Sequence, residues 1–290
     1  MMEAKVFTDI KEFYDLVFPF LVQREAENNL ILAILNRLKK NIDRYDQAAP
    51  LLLLINEYNS IKLISIRTPP HDLLISYTDD LSTIDVLIEE LLRRDVVLPG
   101  ILSFKNAADK FSKIWAEKKK LKAALLRNER VYKLEIVAEN TLGIKKFIKA
   151  TKKYENFVLK CARYMMVEVL AEINQEQLDE TIKSFRQELD EGTSNIYLLL
   201  DDNDTPLSLV RKAGKTPNGN FINFVYTPPH LRKRGYATEV VAHISQMLLE
   251  EGNKYCFLFT DLSNTTSNSI YQKVGYHPVI DMNHYRFKPL

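Results

Sequence analysis

Glycine, cysteine and tryptophan are scarce in this sequence of 290 residues, which contains 8, 2 and 1 of them, respectively. The two cysteines, Cys161 and Cys256, lie far apart in the chain. This excludes a small domain held together by disulfides and is typical of a reducing compartment. We interpret both cysteines as buried packing residues and expect a cytoplasmic protein.

Long apolar runs and a large excess of one charge are also missing. The longest apolar runs, such as Leu51 to Ile55, are far shorter than the roughly 20 residues of a membrane helix, so we expect no membrane partner. The net charge of +2 does not indicate a nucleic-acid partner. The five histidines are not clustered, and we therefore expect no metal site. The 46% of hydrophobic residues indicates a globular chain of one large or two ordinary domains.

Because glycine is so rare, the segment from Thr227 to Ala237 is the most informative part of the chain. It contains Gly235 directly after three cationic residues, Arg232 to Arg234. The hydrophobic pattern predicts a strand before this segment, from Asn220 to Tyr226, and a helix after it, from Tyr236 to Glu251. A basic loop that opens a helix directs backbone N–H groups at one point, which is how proteins bind a pyrophosphate.

Hydrophobic periodicity divides the sequence near residue 128, and we predict domains over 1–128 and 129–290. In the second half we predict a strand from Val131 to Val137 and helical structure from Ile144 to about Gln187, where several lysines form a solvated basic face. Strands and helices alternate further on. We predict an α/β (α+β) fold with a mixed, mostly antiparallel central sheet flanked by helices, in two tandem copies.

The first half has the same order of elements, with a fainter pattern. Tyr77-Thr78 occupies the place of Tyr226-Thr227, but Asp79-Asp80 follows in place of the basic loop. Two carboxylates at that point repel a pyrophosphate. We interpret the first half as a degenerate copy that lost the ligand and serves packing or acceptor binding; the alternative is an unrelated accessory fold.

Two ordered motifs resemble those of the GNAT superfamily of N-acetyltransferases. The first is the spacing Arg-x-x-Gly-x-Ala from Arg232 to Ala237. The second runs from Asp261 to Tyr276 and resembles the closing motif of that family, with a loop containing asparagine and a helix that carries Tyr271. The resemblance covers about residues 130–290. The layout in two halves is similar to a bacterial GNAT subgroup and to glycine N-acyltransferase-like proteins, which carry an inactive N-terminal half.

The resemblance implies acetyl-CoA, or a related acyl-CoA, as co-substrate and a primary amine of a small molecule or peptide as acceptor, attacked directly in a ternary complex. It implies that Tyr271 is the general acid that protonates the departing thiolate. The implied cofactor-binding residues lie at the strand end, in the basic loop with the first helical turn, and in the closing segment. They are Phe224, Val225, Tyr226, Arg232, Lys233, Arg234, Gly235, Tyr236, Ala237, Thr238, Asn264 and Asn268.

The general base, the acceptor and the oligomeric state, monomer or homodimer, are left open by the sequence. Some members of the family carry a glutamate on the strand before the loop, whereas the strand from Asn220 to Tyr226 has no carboxylate. The candidates for the base are a water held by Asn223 or Tyr226, and the side chains of His230, Glu239 and Asp261. The missing carboxylate also permits a second function, an acyl-CoA-binding regulatory or scaffold module without turnover. A nucleic-acid binder that uses the basic loop is a third, weaker interpretation.

Overall fold

The computed structural model describes residues 2–40, 49–169 and 175–290, which form one sheet with helices on its two faces. The strands are β1 (Met2–Phe7), β2 (Leu51–Glu57), β3 (Ser60–Arg67), β4 (Leu73–Ile75), β5 (Gly100–Phe104), β6 (Leu121–Leu134), β7 (Lys146–Lys149), β8 (Ile196–Leu200), β9 (Pro206–Lys215), β10 (Gly219–Tyr226), β11 (Tyr255–Asp261) and β12 (His277–Pro289). The helices are α1 (Ile10–Val22), α2 (Asn29–Lys40), α3 (Thr83–Arg93), α4 (Lys105–Lys119), α5 (Glu155–Val169), α6 (Gln175–Asp190), α7 (Tyr236–Glu250) and α8 (Thr265–Val274).

The elements of the chain occur twice in the same order. A short strand, two helices, three strands, a helix, a strand, a helix and a long strand make up β1 to β6, and the same series makes up β7 to β12. In each series one pair of strands is parallel, β4 with β5 and β10 with β11, and the other pairs are antiparallel. The predicted fold class, a mixed and mostly antiparallel sheet flanked by helices, is confirmed.

The two long strands β6 and β12 join the repeats by a reciprocal exchange. The sheet order is β1-β2-β3-β4-β5-β12-β6-β11-β10-β9-β8-β7. The segment of β12 from Met282 to Arg286 pairs with β5, while the last part of β6, from Glu129 to Leu134, pairs with β11. Each repeat therefore contains a segment of strand that the other repeat supplies.

The crossing point of the exchange lies at Asn128 and Asn283. These two residues are opposed in the ladder between β6 and β12, and the Asn128 side chain donates a 2.7 Å hydrogen bond to the Asn283 side-chain oxygen. Two residues along the ladder, the Arg130 guanidinium makes two hydrogen bonds to the Asp281 carboxylate, at 2.6 and 2.8 Å. The predicted domain boundary after residue 128 falls at this point, within β6, and the division into two domains stays a prediction.

Helices cover both faces of the sheet, which explains the nearly continuous apolar runs in the central strands. In β2, Leu52 and Leu54 pack beneath α1 and α2, while Leu53 and Ile55 pack beneath α3 and α4. In the second repeat, Val240, Val241, Ile244 and Leu248 of α7 are completely buried. The α2 helix of the first repeat also packs on β9 of the second, where a cluster that includes Ala26, Phe221 and Phe257 links the repeats.

Two sequence predictions in the second repeat are wrong. The segment from Ile144 to Gln187 is not helical throughout, because Lys146 to Lys149 form β7 at the sheet edge, paired with β8. The Phe147 ring stacks on Tyr197 and His243, so packing decides the conformation of a short stretch with many lysines. The strand predicted from Val131 begins at Leu121, ten residues earlier. The strand β1 was not predicted from the sequence.

Both cysteines are buried and free, as predicted. Over the described ranges, no helix is both long and apolar enough to cross a membrane.

The reciprocal exchange predicts that the two repeats unfold together. Trp115 is the only tryptophan of the chain and is buried in the core of the first repeat, whereas Ile244 is buried in that of the second. Ile244→Ala creates a cavity that costs about 2–5 kcal/mol. We expect the denaturant midpoints from Trp115 fluorescence and from far-UV circular dichroism to coincide and to shift together in this variant. A fluorescence midpoint that does not move would show that the first repeat folds independently.

Candidate functional site

A cleft of about 950 Å³ opens where β10 and β11 separate. The two strands pair only from Gly219 to Phe221 on β10 and from Tyr255 to Phe257 on β11, and beyond this they diverge. The register between β10 and β9 shifts after Asn223, and Phe224 has a positive φ of 50°. This bulge bends β10 away from β11.

The basic loop and the start of α7 form one wall of the cleft. Gly235 directly precedes α7 with a φ of 84°, a conformation that favours glycine, and no side chain caps this helix end. The first N–H groups of a helix have no partner within the helix, so those of α7 are available to a ligand. A Cβ atom at Gly235 would meet nothing within 4 Å, so the space beside its backbone is open. Lys233, Gly235, Tyr236, Ala237 and Thr238 all line the cleft.

The Arg232 side chain is engaged in contacts within the protein. Its Nε donates to the Thr227 carbonyl at 2.9 Å, and its guanidinium lies 2.7 Å from the Glu168 carboxylate of α5. The Tyr226 hydroxyl donates to the same carboxylate at 2.7 Å. Burial raises the pKa of Glu168, but the hydrogen bonds from Tyr226 and Arg232 outweigh it and lower the pKa. Tyr226, Arg232 and Glu168 thus form a hydrogen-bonded network beside the loop.

The closing segment supplies the opposite wall. Asn264 lines the cleft and caps α8, with its side-chain oxygen accepting a 3.0 Å hydrogen bond from the Ser267 N–H. Asn268 donates to the backbone carbonyls of Asp261 and Asn264, and its oxygen accepts from the Tyr132 hydroxyl. Asn268 and Arg234 do not belong to the described lining of the cleft, whereas the other ten predicted cofactor-binding residues do.

Tyr271 lines the cleft and is 8% exposed. Its ring packs against those of Tyr132 and Tyr276, with centroids 6.2 and 6.1 Å away. Burial raises the pKa of Tyr271 to about 12, partly offset by a hydrogen bond with Ser267. The phenol therefore carries its proton throughout the neutral and moderately alkaline range, as a proton donor must.

Two glutamates that the sequence analysis did not consider also line the cleft, Glu129 of β6 and Glu168 of α5. Glu129 lies opposite Asp261 in the ladder between β6 and β11. The prediction that this strand begins at Val131 placed Glu129 outside the sheet. A strand predicted to begin earlier would have identified Glu129 as a residue of the sheet. Of the candidates considered for the general base, Asn223, Tyr226 and Asp261 line the cleft, while His230 and Glu239 are not in its described lining.

The first repeat has a cleft of about 710 Å³ at the corresponding place, after β4 and β5. Its loop differs in chemistry, because the Asp80 carboxylate accepts hydrogen bonds from the N–H and hydroxyl of Ser82. The Tyr77 hydroxyl donates to Asp79, and the Arg24 guanidinium lies 4.2 Å from the centre of the Tyr77 ring. Acidic and aromatic side chains thus occupy the positions of the basic loop.

The described parts of the chain contain no group of three or more histidine, cysteine, aspartate or glutamate residues placed to hold a metal ion. The site is built from backbone N–H groups, cations, a buried phenol and carboxylates.

Comparisons with known proteins agree with this architecture. Residues 208–286, which include the basic loop and the closing segment, match the model of the family described as FR47-like protein. No curated protein sequence matches the chain.

Solved structures resemble the chain over nearly its whole length. A Drosophila protein has a TM-score of 0.66 at 10% identity, with 99% of this chain and 98% of that chain covered. A tandem GNAT protein from the clavulanic acid biosynthesis pathway has a TM-score of 0.58 at 10% identity and covers 98% of each chain. A GNAT-family acetyltransferase from Colwellia psychrerythraea has a TM-score of 0.56 at 10% identity, with 99% of this chain and 100% of that chain covered.

The FR47-like match lies on the cleft of the second repeat, and the structural likeness extends the fold to both repeats. Residues 208–286 therefore match the FR47-like family model, and the chain as a whole has the tandem GNAT fold.

Proposed function

We propose that this protein is an N-acetyltransferase that transfers an acetyl group from acetyl-CoA to a primary amine of a small molecule or peptide. The observation that carries this proposal is the cleft between the separated strands β10 and β11. It joins the free N–H groups at the start of α7 to the buried phenol of Tyr271. One end fits an anion, and the other end can donate a proton.

The two ends of the cleft differ in chemistry, and this difference sets the orientation in which coenzyme A binds. The pyrophosphate binds at the first turn of α7, where the N–H groups and the helix dipole attract anions and Lys233 adds a positive charge. The pantetheine arm lies along β10, where the bulge leaves backbone groups from Phe224 to Tyr226 free of the ladder with β11. Asn264 contacts the arm from the opposite wall. A backbone N–H near Val225 polarises the thioester carbonyl.

Arg232 strengthens pyrophosphate binding only if it leaves Glu168. The two side chains are 2.7 Å apart, and both are about two-fifths exposed. An ion pair this exposed contributes little to stability, so Arg232 can exchange Glu168 for a phosphate at a small cost in free energy. Arg234 and Asn268 stay predicted contacts of the cofactor.

The reaction is a direct attack in a ternary complex. The amine nitrogen bonds to the thioester carbonyl carbon as the carbon–sulfur bond breaks, and the electron pair of that bond passes to sulfur. Tyr271 gives its proton to the sulfur as the negative charge develops there, and the nitrogen loses the proton that balances the step. A buried thiolate is more basic than one in water, which favours this transfer from a phenol of raised pKa.

We also propose a cytoplasmic location. It is supported by the burial of the thiols of Cys161 and Cys256, which raises the pKa of each to about 12 and fits a chain that keeps its cysteines reduced.

Gly235→Glu tests the coenzyme A site. A carboxylate beside the first turn of α7 repels the pyrophosphate and fills the open space at that glycine. We expect coenzyme A affinity, measured by isothermal calorimetry, to fall at least roughly 100-fold, about 2.7 kcal/mol. The control is Gly252→Glu, because Gly252 also has a positive φ and open space within 4 Å but lies after the other end of α7. Normal affinity in the Gly235 variant would remove the loop from the site.

Tyr271→Phe tests the chemistry and separates the enzyme from a module that only binds acyl-CoA. Loss of a general acid lowers kcat by roughly 100-fold or more, whereas coenzyme A affinity stays unchanged. Turnover is measured by thiol release with a panel of primary amines. The control is Tyr276→Phe, because that buried phenol bonds Ser245 and is not in the described lining of the cleft. An unchanged kcat across the pH range would show that Tyr271 is not the acid, and binding of acyl-CoA without turnover by the unaltered protein would favour the regulatory or scaffold module.

A further inference from the structure

We propose that Glu129 is the general base that takes the proton from the acceptor amine. This inference rests on the proposed function and identifies the base, which the sequence left open. The carboxylate is carried by β6, the strand that begins in the first repeat and ends in the second. The first repeat thereby contributes to catalysis through its exchanged strand, although its own loop has lost the chemistry for a pyrophosphate.

The sheet places Glu129 in the lining of the cleft. It is the first residue of β6 to pair with β11, opposite Asp261, and it lies opposite Met282 of β12 on its other side. Directly opposed residues of antiparallel strands project to the same face, so Glu129 and Asp261 share a face of the sheet. Asp261 precedes the loop that leads into α8, the helix of Tyr271. Three residues further along β6, Tyr132 projects to the opposite face and packs against Tyr271. Glu129 and Tyr271 both line the cleft, and in the proposed complex the thioester lies between them.

The contacts of Glu129 leave its carboxylate available. Its side chain is 15% exposed, and its ion pair is with Arg127, two residues earlier on the same strand, at 3.7 Å. This distance is too long for a strong hydrogen bond. The Nε of Arg127 is buried and has no hydrogen-bond partner within the described structure, so the guanidinium is not held firmly elsewhere. Arg127 positions the carboxylate without occupying it.

The other carboxylates near the cleft are already occupied. Glu168 accepts a 2.7 Å hydrogen bond from the Tyr226 hydroxyl, and this bond remains when Arg232 turns to the pyrophosphate. Asp261 accepts from the N–H and the hydroxyl of Ser263 through one oxygen. Glu239 accepts from the backbone N–H of Lys145. Each of these groups has a structural role that proton transfer would disturb.

With Glu129 as the base, every proton of the reaction has a donor and an acceptor. An acceptor amine arrives as an ammonium ion at neutral pH and cannot attack until it loses a proton. Glu129 accepts that proton, directly or through one water, and later passes it to solvent. The neutral amine attacks, the sulfur takes the proton of Tyr271, and the tyrosine recovers a proton from the new amide nitrogen. The products are the amide, the free thiol and one proton in solution.

The test compares Glu129→Gln with Glu129→Asp and with Glu135→Gln. Glu135 is a matched control, because it follows the end of β6, pairs with Lys133 at 2.7 Å and is not in the described lining of the cleft. Steady-state kcat/KM is measured with acetyl-CoA and n-butylamine from pH 6.5 to 9.5, and coenzyme A affinity by calorimetry. We expect Glu129→Gln to lose roughly 100-fold at pH 7.

The pH profile separates a base from a structural residue. Without the base only the free amine reacts, so the deficit of Glu129→Gln shrinks about tenfold for each pH unit as the free amine increases. The shorter carboxylate of Glu129→Asp keeps part of the rate at pH 7, and Glu135→Gln keeps all of it. Coenzyme A affinity stays unchanged in all three variants.

Three results would overturn the inference in distinguishable ways. If Glu129→Gln keeps the rate and pH profile of the unaltered protein, Glu129 is not the base, but the proposed function stands. If Glu129→Gln loses coenzyme A affinity or its thermal transition, the residue is structural. If the unaltered protein binds coenzyme A but acetylates no amine, the proposed function itself is wrong, and the role of the base is lost with it.

Discussion

The pairing of β6 with β12 is the interaction on which the rest of the structure depends. Each strand serves two repeats, and their ladder runs from His277 opposite Lys133 to Pro289 opposite Leu121. Without it, β5 and β11 would each have an unpaired edge, and exposed edges of this length favour aggregation. The ladder also fixes one side of the cleft, because β11 can diverge from β10 only while β6 holds its other edge. The fold and the site therefore depend on contacts between residues about 150 positions apart.

The two repeats share a scaffold but differ in the few residues that meet a ligand. A parallel pair of strands that separates produces a cleft in both, after β4 and β5 and after β10 and β11. In the second repeat the following loop offers Lys233, Gly235 and free N–H groups, whereas in the first Asp80 and Ser82 bond each other. Backbone geometry thus explains why both clefts exist, and side-chain charge explains why we assign coenzyme A to only one.

Local patterns in the sequence predicted the parts of the site that local structure determines. The strand before the loop, Gly235 and the helix with Tyr271 follow from periodicity, a rare glycine and a closing motif within about fifty residues. The N-terminal part of β6 was missed because it alternates poorly, with Arg127, Asn128, Glu129 and Arg130 in succession. These polar residues are stabilised in a strand by β12, which is distant in sequence, and Arg127 and Glu129 also line the cleft. For the same reason Glu129 could not be recognised before the register of β6 was known.

The central claim is that one cleft, in the second repeat, binds coenzyme A while the corresponding cleft of the first repeat does not. Isothermal calorimetry of the full-length chain with coenzyme A measures this directly through the stoichiometry. The account predicts one equivalent bound per chain, with the affinity weakened by salt as expected for a pyrophosphate held by cations and a helix dipole. Two equivalents per chain, or none, would contradict it.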